Sequence, residues 1–361
     1  MTTTTQPDRT DQLVERLFGA TLGTLELYSV YLGTELGLYR TLRDRGPLTA
    51  GELANAAAIA ERYAHEWLEQ QAVAGLLTVA GHDAAPAERR YVLGADHARV
   101  LVDPDDSAHL APFAHMVAGI GGVLPAVARA YRTGGGVPYA AYGQAFRHGQ
   151  GHINRPAFTD DLPSAWLGAM PDVHERLADG GRVADVGCGQ GWSALAMANA
   201  FPSIHVDGFD VDPGSIQDAR RHAAAAGLAD RVRFLERDSA QIASADRYDL
   251  ILLLETLHDL PHPVQTLQAA RAALADAGAV LIADERVADS FAAPGDEVER
   301  MMYGWSVSHC LPTQLAEEPS AALGTVMRAG TVRELAADAG YRGVDVLPVD
   351  NDFFRLYRLR P

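Results

Sequence analysis

The stretch that decides the fold is Val183–Gly191, with the sequence VADVGCGQG, followed by the helix-like segment Trp192–Phe201. Small and apolar residues lead into three closely spaced glycines. This order predicts a buried parallel strand, a tight turn and the N-terminus of a helix. Glycine lets a ligand approach the backbone closely, and the free N–H groups of a helix start can hold a carboxylate or phosphate. A plain strand-turn-helix corner has the same pattern, so the glycines alone leave ligand binding open.

From Arg182 onward, strand-like and helix-like segments alternate along the chain. The strand-like segments are short and apolar, and the segments between them have helical periodicity. This alternation predicts a doubly wound, Rossmann-like α/β domain with a parallel sheet. The predicted strands are Val183–Val186, Val206–Asp210, Val232–Glu236, Tyr248–Leu254 and Ala279–Asp284, and the predicted helices are Trp192–Ala200, Gly214–Ala226 and Val264–Ala275.

The C-terminal part of the chain departs from that alternation. A predicted helix over Thr331–Ala339 is followed by two strand-like segments, Val344–Leu347 and Phe353–Tyr357. Strands so close in sequence form a hairpin, and a hairpin added to a parallel sheet makes one edge strand antiparallel. We therefore predict a seven-stranded sheet with an antiparallel C-terminal edge hairpin.

The N-terminal region has a different pattern. Helical periodicity over Asp11–Arg43 ends at Gly46-Pro47, and two shorter predicted helices, Gly51–Ala58 and Glu61–Ala74, follow. Two strand-like segments over 76–79 and 90–93 complete a winged helix. The candidate recognition helix, residues 61–70, carries three glutamates and one arginine, which would repel a phosphate backbone. We therefore expect this α-helical winged-helix domain to serve dimerisation rather than DNA binding.

A connector joins the two patterns. Small apolar residues interrupted by glycines over 110–142 predict two short helices and a mobile glycine segment, which serves either as a lid over a pocket or as a plain linker. A helix over Phe158–Leu177 is expected to lead into the first strand. The predicted divisions are residues 1–105, 106–165 and 166–361. Four histidines in this region lack the short fixed spacing of metal ligands, so we expect them to be solvated: His109, His115, His148 and His152.

Composition excludes several classes of protein. The formal net charge of −17 argues against a nucleic-acid partner, since such binding needs clustered Lys and Arg. No apolar run approaches the roughly 20 residues that a membrane span needs, and the polar start of the chain shows no secretory signal. Two cysteines make neither a disulfide framework nor a zinc site. We predict a cytoplasmic protein without a membrane, nucleic-acid or metal partner.

The ends of the predicted strands carry acidic residues where a ligand would lie. In such a sheet, ligands bind outside the carboxyl ends of the strands at the switch point. Asp210 ends the second strand, 23 positions after Gly187 (210 − 187), where an acid can accept both hydroxyls of a ribose. Asp238 follows the third strand, where it can accept from an adenine amino group. The alternatives are helix capping by Asp210 or Asp212, and a turn role for Asp238.

Together these features resemble the motif series of class I S-adenosylmethionine-dependent methyltransferases. The glycine pattern is GxGxG rather than the GxGxxG of nicotinamide dehydrogenases, and Tyr248–Leu252 supplies the fourth-strand motif. With the winged helix added, the chain resembles bacterial small-molecule methyltransferases built as dimers. The resemblance implies S-adenosylmethionine as cofactor, with the glycine loop at its methionine part, Asp210 at the ribose and Asp238 at the adenine. The predicted cofactor-binding residues are Asp185, Gly187, Gly189, Gly191, Asp210, Asp238, Ser239 and Glu255.

The fourth strand leads into a candidate base. Glu255 and His258 stand three residues apart, so they share a face if a helical turn begins there. A histidine of ordinary pKa is a competent base at neutral pH. The His258-Asp259 pair also resembles the motif of plant-type O-methyltransferases, in which that histidine deprotonates a phenol. The alternative roles are a loop hydrogen bond for His258 and a cofactor contact alone for Glu255.

The fifth strand ends in two acids, Asp284 and Glu285, which we include with His258 in the predicted catalytic set. In the plant-type enzymes an acid at this place orients the catalytic histidine. Strand alternation predicts that only one of the two faces the site, and the pattern does not choose between them. A salt bridge with Arg286 is the alternative, and the family's second acid has no match here.

A helix-like segment, Glu299–Pro312, follows. In the resembled family the helix after the fifth strand lines the acceptor pocket, so Tyr303, Trp305 and His309 are predicted acceptor contacts, with core packing as the alternative for Trp305. Cys310 adjoins His309, but neighbours in a helix point in different directions, so we expect no nucleophilic pair there.

The sequence therefore predicts a homodimer that transfers a methyl group from S-adenosylmethionine to a small molecule. The predicted acceptor atom is a hydroxyl oxygen, with His258 as general base. Methylation of carbon or nitrogen, non-methylating chemistry on the same fold, and a DNA-binding regulator are the alternatives. Fold alone does not fix the reaction.

Overall fold

The computed structural model describes residues 8–81, 83–242 and 247–361, so the polar start of the chain, 1–7, lies outside the described residues. The chain divides into two compact units. The first comprises the described residues up to Gly121 together with Gln144–Ile153, and the second comprises Gly122–Gly143 and Asn154–Pro361. The glycine loop and every strand of the predicted parallel sheet belong to the second unit.

The first unit contains the predicted helices and two-stranded wing. Thr49 begins the third helix with a capping box, in which its side chain and that of Glu52 satisfy each other's backbone N–H groups. The helix predicted over Asp11–Arg43 is divided at Gly37, whose φ of 67° suits glycine. The elements are α1 (Arg9–Glu35), α2 (Leu38–Arg45), α3 (Ala50–Ala57), α4 (Glu61–Val73), β1 (Thr78–Ala80), β2 (Arg90–Val92) and α5 (Ala95–Leu101), with β1 and β2 antiparallel.

Two of the four connector histidines are buried, so the prediction of solvated side chains is wrong for them. His109 and His115 are 8% and 4% exposed. The Nδ1 atom of His109 lies 3.0 Å from the Val100 carbonyl oxygen, and the Nε2 atom of His115 lies 2.8 Å from the Thr34 hydroxyl. Each ring thus has a partner for one of its nitrogen atoms, which offsets part of the cost of burial.

The connector forms one long helix, α6 (Pro112–Thr133), in place of the two short helices predicted there. One of its glycines serves packing: a Cβ on Gly119 would lie 2.6 Å from the Phe146 Cβ. In the glycine segment that follows, a Cβ on Gly136 would lie 2.0 Å from the Ala316 nitrogen, so that residue is packed against distant backbone. The predicted break between two short helices is therefore wrong, and the mobility of the glycine segment remains a prediction. A helix α7 follows over Gly143–Ile153.

Helix α6 also bears on the prediction that no segment is long enough to span a membrane. Among the described residues it is the one helix long and apolar enough to do so by length and composition. Its many alanines and glycines give it that composition, and one third (33%) of its most apolar window is buried within the fold.

The second unit contains seven strands in one sheet. The helix predicted over Phe158–Leu177 is divided at Pro163 and Pro171, since proline interrupts the helical hydrogen-bond ladder. The elements are α8 (Arg155–Asp160), α9 (Pro171–Asp179), β3 (Gly181–Val186), α10 (Trp192–Ala200), β4 (Ile204–Asp210), α11 (Pro213–Ala225), β5 (Val232–Glu236), β6 (Tyr248–Leu254), α12 (Pro263–Ala273), β7 (Leu274–Glu285), α13 (Glu297–Trp305), α14 (Leu311–Gln314), α15 (Ala329–Asp338), β8 (Gly343–Val346) and β9 (Phe354–Arg360).

The strand order is β5-β4-β3-β6-β7-β9-β8, which confirms the predicted doubly wound sheet. Strands β3 to β7 pair in parallel, whereas β9 is antiparallel to both of its neighbours. The antiparallel strand is thus second from the edge, and β8 forms the edge itself. The order reverses between β3 and β6, so their carboxyl ends form the switch point at which ligands bind in such sheets.

The sheet is apolar on both faces because helices cover both. Val183 and Leu250 belong to the hydrophobic core on one face, whereas Ala184 and Ile251 belong to the core on the other, and all four are fully buried. Strands buried on both faces need nearly continuous apolar runs, as in the LILLL segment of β6. This burial fixes the strand ends that position the site.

Replacement of Gly119 by alanine is expected to lower the free energy of unfolding by about 1–3 kcal/mol, because the added methyl group overlaps Phe146. The matched variant is Gly122→Ala in the same helix, where a Cβ meets no described atom within 4 Å. That change is expected to be neutral or to stabilise by up to about 1 kcal/mol through helix propensity. Urea unfolding at one fixed protein concentration measures both. Equal stability of the two variants contradicts the packing explanation.

Candidate active site

The glycine loop follows β3 and begins α10, as predicted. The N–H groups of Gly187 and Cys188 donate to the Phe209 carbonyl, at 2.8 and 3.0 Å, so the loop is fixed to the end of β4. A Cβ on Gly187 would lie 2.4 Å from the Thr256 Cγ2, whereas one on Gly189 would meet no described atom within 4 Å. Gly187 therefore serves packing, and Gly189 presents open backbone with a φ of 49°.

Asp210 lies against this loop. Its Oδ2 accepts a hydrogen bond from the Gly189 N–H at 2.8 Å, and its Oδ1 accepts from the Asp212 N–H at 2.8 Å. Asp212 caps α11, accepting from the Ser215 N–H at 2.8 Å. Of the two candidate caps, the structure thus selects Asp212. Burial raises the pKa of Asp210, with the two backbone N–H groups opposing that rise.

Asp185 supports the loop from within the sheet. It is 1% exposed, and the Ser193 hydroxyl in the first turn of α10 donates to its Oδ2 at 2.5 Å. Burial raises its pKa to about 6, against the opposing effect of the Ser193 hydrogen bond. The structure therefore places this predicted cofactor residue beneath the loop, joining β3 to α10.

Asp238 and Ser239 follow β5. The Asp238 side chain is exposed, and its Oδ1 accepts from the Ala240 N–H at 2.8 Å, which is the turn role considered above. The Ser239 hydroxyl lies 2.9 Å from the Thr266 hydroxyl in α12. Asp210 pairs with Glu236 across β4 and β5, so Asp238 lies just beyond the strand that adjoins Asp210.

His258 lies in a single helical turn, Leu257–Asp259, after β6 and contacts both acids of β7. Its Nδ1 donates to the Asp284 Oδ1 at 2.9 Å and lies 3.3 Å from the Glu285 Oε2. All three side chains are buried. The prediction that only one acid faces the site is wrong, because both carboxylates contact the His258 ring although both residues belong to β7.

Arg286 does not pair with either of those acids. Its guanidinium lies 3.6 Å from the Asp350 carboxylate and donates to the Asn351 carbonyl at 2.6 Å. The alternative explanation of the acids as a salt bridge with this arginine is therefore wrong.

The electrostatics of this cluster favour a charged imidazole. Burial works to lower the pKa of His258, but Glu285, Asp284 and Asp259 outweigh it and raise the pKa well above its ordinary value. Burial works to raise the pKa of Asp284, yet His258 lowers it overall, whereas burial and Glu255 raise the pKa of Glu285. The 2.9 Å hydrogen bond makes Asp284 the carboxylate partner of the imidazolium, whereas Glu285 is the acid whose pKa is raised.

Glu255 lies at the carboxyl end of β6, between this cluster and the glycine loop. It is the first residue after the strand, and its N–H donates to the Ala283 carbonyl at 2.8 Å. Asn154 donates to its Oε2 at 3.4 Å. Burial raises the pKa of Glu255 to about 7, with His258 opposing that rise. The sequence gives no sign of Asn154 as a site residue, because no motif or spacing connects it to Glu255.

Gln314 is a second residue that sequence analysis missed. It is 2% exposed, its amide donates to the His258 carbonyl at 2.5 Å, and its Oε1 accepts from the Gly324 N–H at 3.1 Å. These bonds fix the backbone of the His258 turn. A single glutamine in a helical segment, outside any motif, gives no sign of a contact with a distant part of the chain. The sequence could therefore not have revealed the role of Gln314.

The three predicted acceptor contacts have different environments. Tyr303 in α13 is 40% exposed, Trp305 is partly exposed, and His309 is 2% exposed. The His309 ring packs edge-on against Tyr142, with 4.7 Å between ring centroids, and burial lowers its pKa to about 4. His309 is therefore a neutral ring held in the fold. The Tyr142 hydroxyl donates to the Ser308 carbonyl at 2.9 Å, which fixes the end of the predicted lid segment to the same turn.

Cys310 lies closer to the histidines than expected. The segment Ser306–Cys310 forms a π-helical turn, and the His309 Nδ1 lies 3.4 Å from the Cys310 Sγ. The wider turn brings these neighbours together, so the geometric reason given for rejecting a pair is wrong. Burial nevertheless raises the pKa of the Cys310 thiol to about 11, which disfavours a thiolate nucleophile.

The cluster also brings metal-ligand atoms together. Donor atoms of His258, Asp284 and Glu285 lie within 4.8 Å of one another. A metal ion there would replace the proton that joins the imidazole to Asp284. The absence of a metal partner remains a prediction.

Two stretches of the chain match models of known protein families. Residues 177–330 match the family model described as a methyltransferase domain, and residues 24–103 match that of the Rv2258c-like winged HTH domain. The second match confirms the predicted winged helix. Among relatives, 27-O-demethylrifamycin SV methyltransferase of Amycolatopsis mediterranei is 27% identical over 167 residues, 44% of this chain and 58% of that protein. Trans-aconitate 2-methyltransferase of Streptomyces coelicolor is 31% identical over 118 residues, 33% of this chain and 36% of that protein.

Solved structures resemble nearly the whole chain. Human N-acetylserotonin methyltransferase in complex with its cofactor has a TM-score of 0.69 at 16% identity, covering 100% of this chain and 99% of that one. The mitomycin 7-O-methyltransferase MmcR has a TM-score of 0.62 at 21% identity, covering 97% and 98%. At these identities the likeness shows the fold, and the chain spans less than two thirds of the relatives named above.

The side-chain charges give a prediction for solution. His258 is expected to titrate above its ordinary pKa of about 6.5, whereas His309 stays neutral down to about pH 4. Asp284→Asn is expected to lower the pKa of His258 more than Glu285→Gln does, because Asp284 is the charged partner. Imidazole resonances in nitrogen-edited NMR spectra measure all three. A His258 pKa below 6.5 in the unaltered chain contradicts this account of the cluster.

Proposed function

We propose that this chain, which carries a methyltransferase domain after an Rv2258c-like winged helix domain, transfers a methyl group from S-adenosylmethionine to a small molecule. The observation that carries the proposal is the contact between Gly189 and Asp210 at the switch point. It puts a loop residue with open space in place of a side chain beside a carboxylate. Close approach to the backbone and an acid are what the methionine and ribose parts of the cofactor require.

The residues present fit that cofactor. Gly189 has open space where a side chain would be, and the buried Glu255 Oε1 has no hydrogen-bond partner among the described residues. We assign the methionine part to the loop 187–191, the ribose to Asp210 and the adenine to Asp238. When bound, the cofactor supplies a methyl group already activated on a sulfonium. The chain itself supplies positioning and a route for the acceptor's proton.

We propose a hydroxyl as the acceptor group and His258 as its base. The Nδ1 atom is held by Asp284, so the Nε2 atom, 3.4 Å from the Asp259 Oδ1, is the one available to take the proton. Asp284 then stabilises the imidazolium that forms. MmcR is described as a 7-O-methyltransferase, which supports an oxygen acceptor on this fold. Tyr303, Trp305 and His309 are the proposed acceptor contacts, and the cytoplasm the proposed location.

Asp210→Ala is expected to weaken binding of S-adenosylmethionine about 10- to 100-fold, because it removes the hydrogen bonds that the ribose hydroxyls donate to a charged acceptor. Asp350→Ala is the control, because it removes a fully exposed carboxylate. Isothermal titration calorimetry measures both. Unchanged affinity in the Asp210 variant would remove that residue from the cofactor site, and failure of the unaltered chain to bind the cofactor or its demethylated product contradicts the proposed function.

His258→Ala is expected to leave cofactor binding within a few-fold and to slow methyl transfer about 10²- to 10⁴-fold. The rate in the unaltered chain is expected to rise with pH through a pKa above 6.5, since the free base exists only above the raised pKa of His258. In Asp284→Asn that rise should move to lower pH. Transfer from a methyl-labelled cofactor to a panel of phenols measures these rates, and equal rates in the His258 variant end its assignment as base.

We also propose that α1 pairs two copies of the chain, with residues 1–105 as the dimerisation domain, 106–165 as connector and 166–361 as catalytic domain. One side of α1 exposes apolar side chains, from 38% for Tyr28 to 65% for Phe18. A continuous apolar stripe of this kind marks an interaction surface. It consists of Leu13, Val14, Leu17, Phe18, Leu22, Leu25, Tyr28 and Leu32.

The double variant Leu17→Glu with Phe18→Glu is expected to convert the dimer to a monomer, because it puts charge into the apolar stripe. Glu15→Gln on the same helix is the control and should leave the mass unchanged. Light scattering after size-exclusion chromatography measures the mass. A monomeric unaltered chain at micromolar concentration contradicts the proposal.

A further inference from the structure

Glu255 has an unusual backbone conformation for its position. Its φ is 56°, in the left-handed region that residues with a side chain seldom adopt. The hydrogen bond from its N–H to the Ala283 carbonyl of β7 holds the residue there, so the sheet imposes the conformation. Such strain costs about 1–3 kcal/mol and is concentrated at ligand sites. The conformation therefore points to a side chain that must face a particular direction.

The Glu255 carboxylate lacks the partners that a buried carboxylate needs. Its Oε2 has one long hydrogen bond, 3.4 Å from the Asn154 amide, and its Oε1 has none among the described residues. A buried anion without a cation or several donors is costly. No arginine or N-terminus is paired with it in the described part of the chain. A ligand that carries positive charge would supply the missing partner.

The position of Glu255 in the sheet indicates which part of a ligand it would contact. Strand β6 lies beside β3, with Leu253 opposite Val186, so Glu255 follows the strand that adjoins the glycine loop. The next residue, Thr256, lies so close to Gly187 that a Cβ there would be 2.4 Å from it. His258 is three residues after Glu255. Glu255 is thus between the loop for the methionine part and the base for the acceptor.

On the basis of the proposed function, we propose that Glu255 recognises the positive charge of the cofactor's sulfonium and so distinguishes S-adenosylmethionine from its product. In the reaction the methyl carbon leaves sulfur and bonds to the acceptor oxygen, whose proton passes to His258. Sulfur keeps the electron pair of the broken bond and becomes a neutral thioether. The charge that Glu255 stabilises is thereby lost in transfer, and the product binds more weakly than the cofactor.

The charged groups that face Glu255 determine how this preference depends on pH. They are His258, Asp259, Asp284 and Glu285. With a pKa of about 7, Glu255 is mostly protonated at pH 6 and mostly ionised at pH 8. A group that must be ionised to bind a cation makes affinity rise with pH up to its pKa. The ratio of affinities for cofactor and product should therefore rise about tenfold from pH 6 to pH 8.

The test is calorimetric titration of the full chain with S-adenosylmethionine and with S-adenosylhomocysteine at pH 6, 7 and 8. Glu255→Gln keeps the shape of the side chain, and it should remove most of the rise in the affinity ratio. The charge on His258 also repels the sulfonium at low pH. Because that charge remains in Glu255→Gln, any rise left in this variant measures the contribution of His258. Glu334→Gln, which alters an exposed carboxylate in α15, should behave like the unaltered chain.

A second variant, Asn154→Ala, provides the test if Glu255→Gln does not fold. The Asn154 hydrogen bond lowers the pKa of Glu255, so Asn154→Ala should move the rise in the affinity ratio to higher pH.

Two results would overturn the inference: a ratio that does not change with pH, including the case in which both affinities change in parallel, or a rise of the same size in Glu255→Gln. Parallel changes would assign Glu255 to the ammonium group that both ligands share. In each of these cases both ligands bind, so the proposed function stands. If neither ligand binds at any pH, the proposed function fails, and the inference fails with it.

Discussion

The reversal of strand order between β3 and β6 is the constraint on which the rest of the site depends. The connection after β3 leads to β4 on one side, and the connection after β6 leads to β7 on the other side. The carboxyl ends of β3 and β6 therefore lie side by side with no connection crossing above them. The glycine loop follows one strand, and Glu255 and His258 follow the other. Apolar burial on both faces of the sheet fixes the register of these strands, so hydrophobic packing determines where the polar chemistry lies.

Negative charge is the dominant property of that site. Asp284 and Glu285 are buried and Asp210 and Glu255 are partly buried near the same edge of the sheet, with His258 among them as the balancing cation. Each carboxylate would be unfavourable there alone, and the pKa is raised overall for all except Asp284, where His258 lowers it. A cationic cofactor and a base that becomes charged as it accepts a proton both suit such surroundings. The same charges explain why we expect cofactor binding, acceptor binding and proton transfer to influence one another.

The sequence predicted what depends on local pattern. Apolar runs and glycines predicted the strands, the loop and the winged helix, and strand ends gave Asp210 and His258 as candidate site residues. Contacts between distant segments could not be predicted: Asn154 and Gln314 reach Glu255 and His258 from other elements, and Gly119 and Gly136 are glycines because distant backbone lies against them. Strand alternation failed at Glu285, whose carboxylate reaches His258 from the last residue of β7.

A crystal structure of the chain with S-adenosylhomocysteine tests the central claim most directly. We expect the methionine part of the ligand beside the loop 187–191, against the open side of Gly189, and its ribose hydroxyls within hydrogen-bonding distance of Asp210. The thioether sulfur should lie beside Glu255, on the side toward His258. A ligand bound elsewhere, or a loop that binds nothing at saturating concentration, would contradict the account.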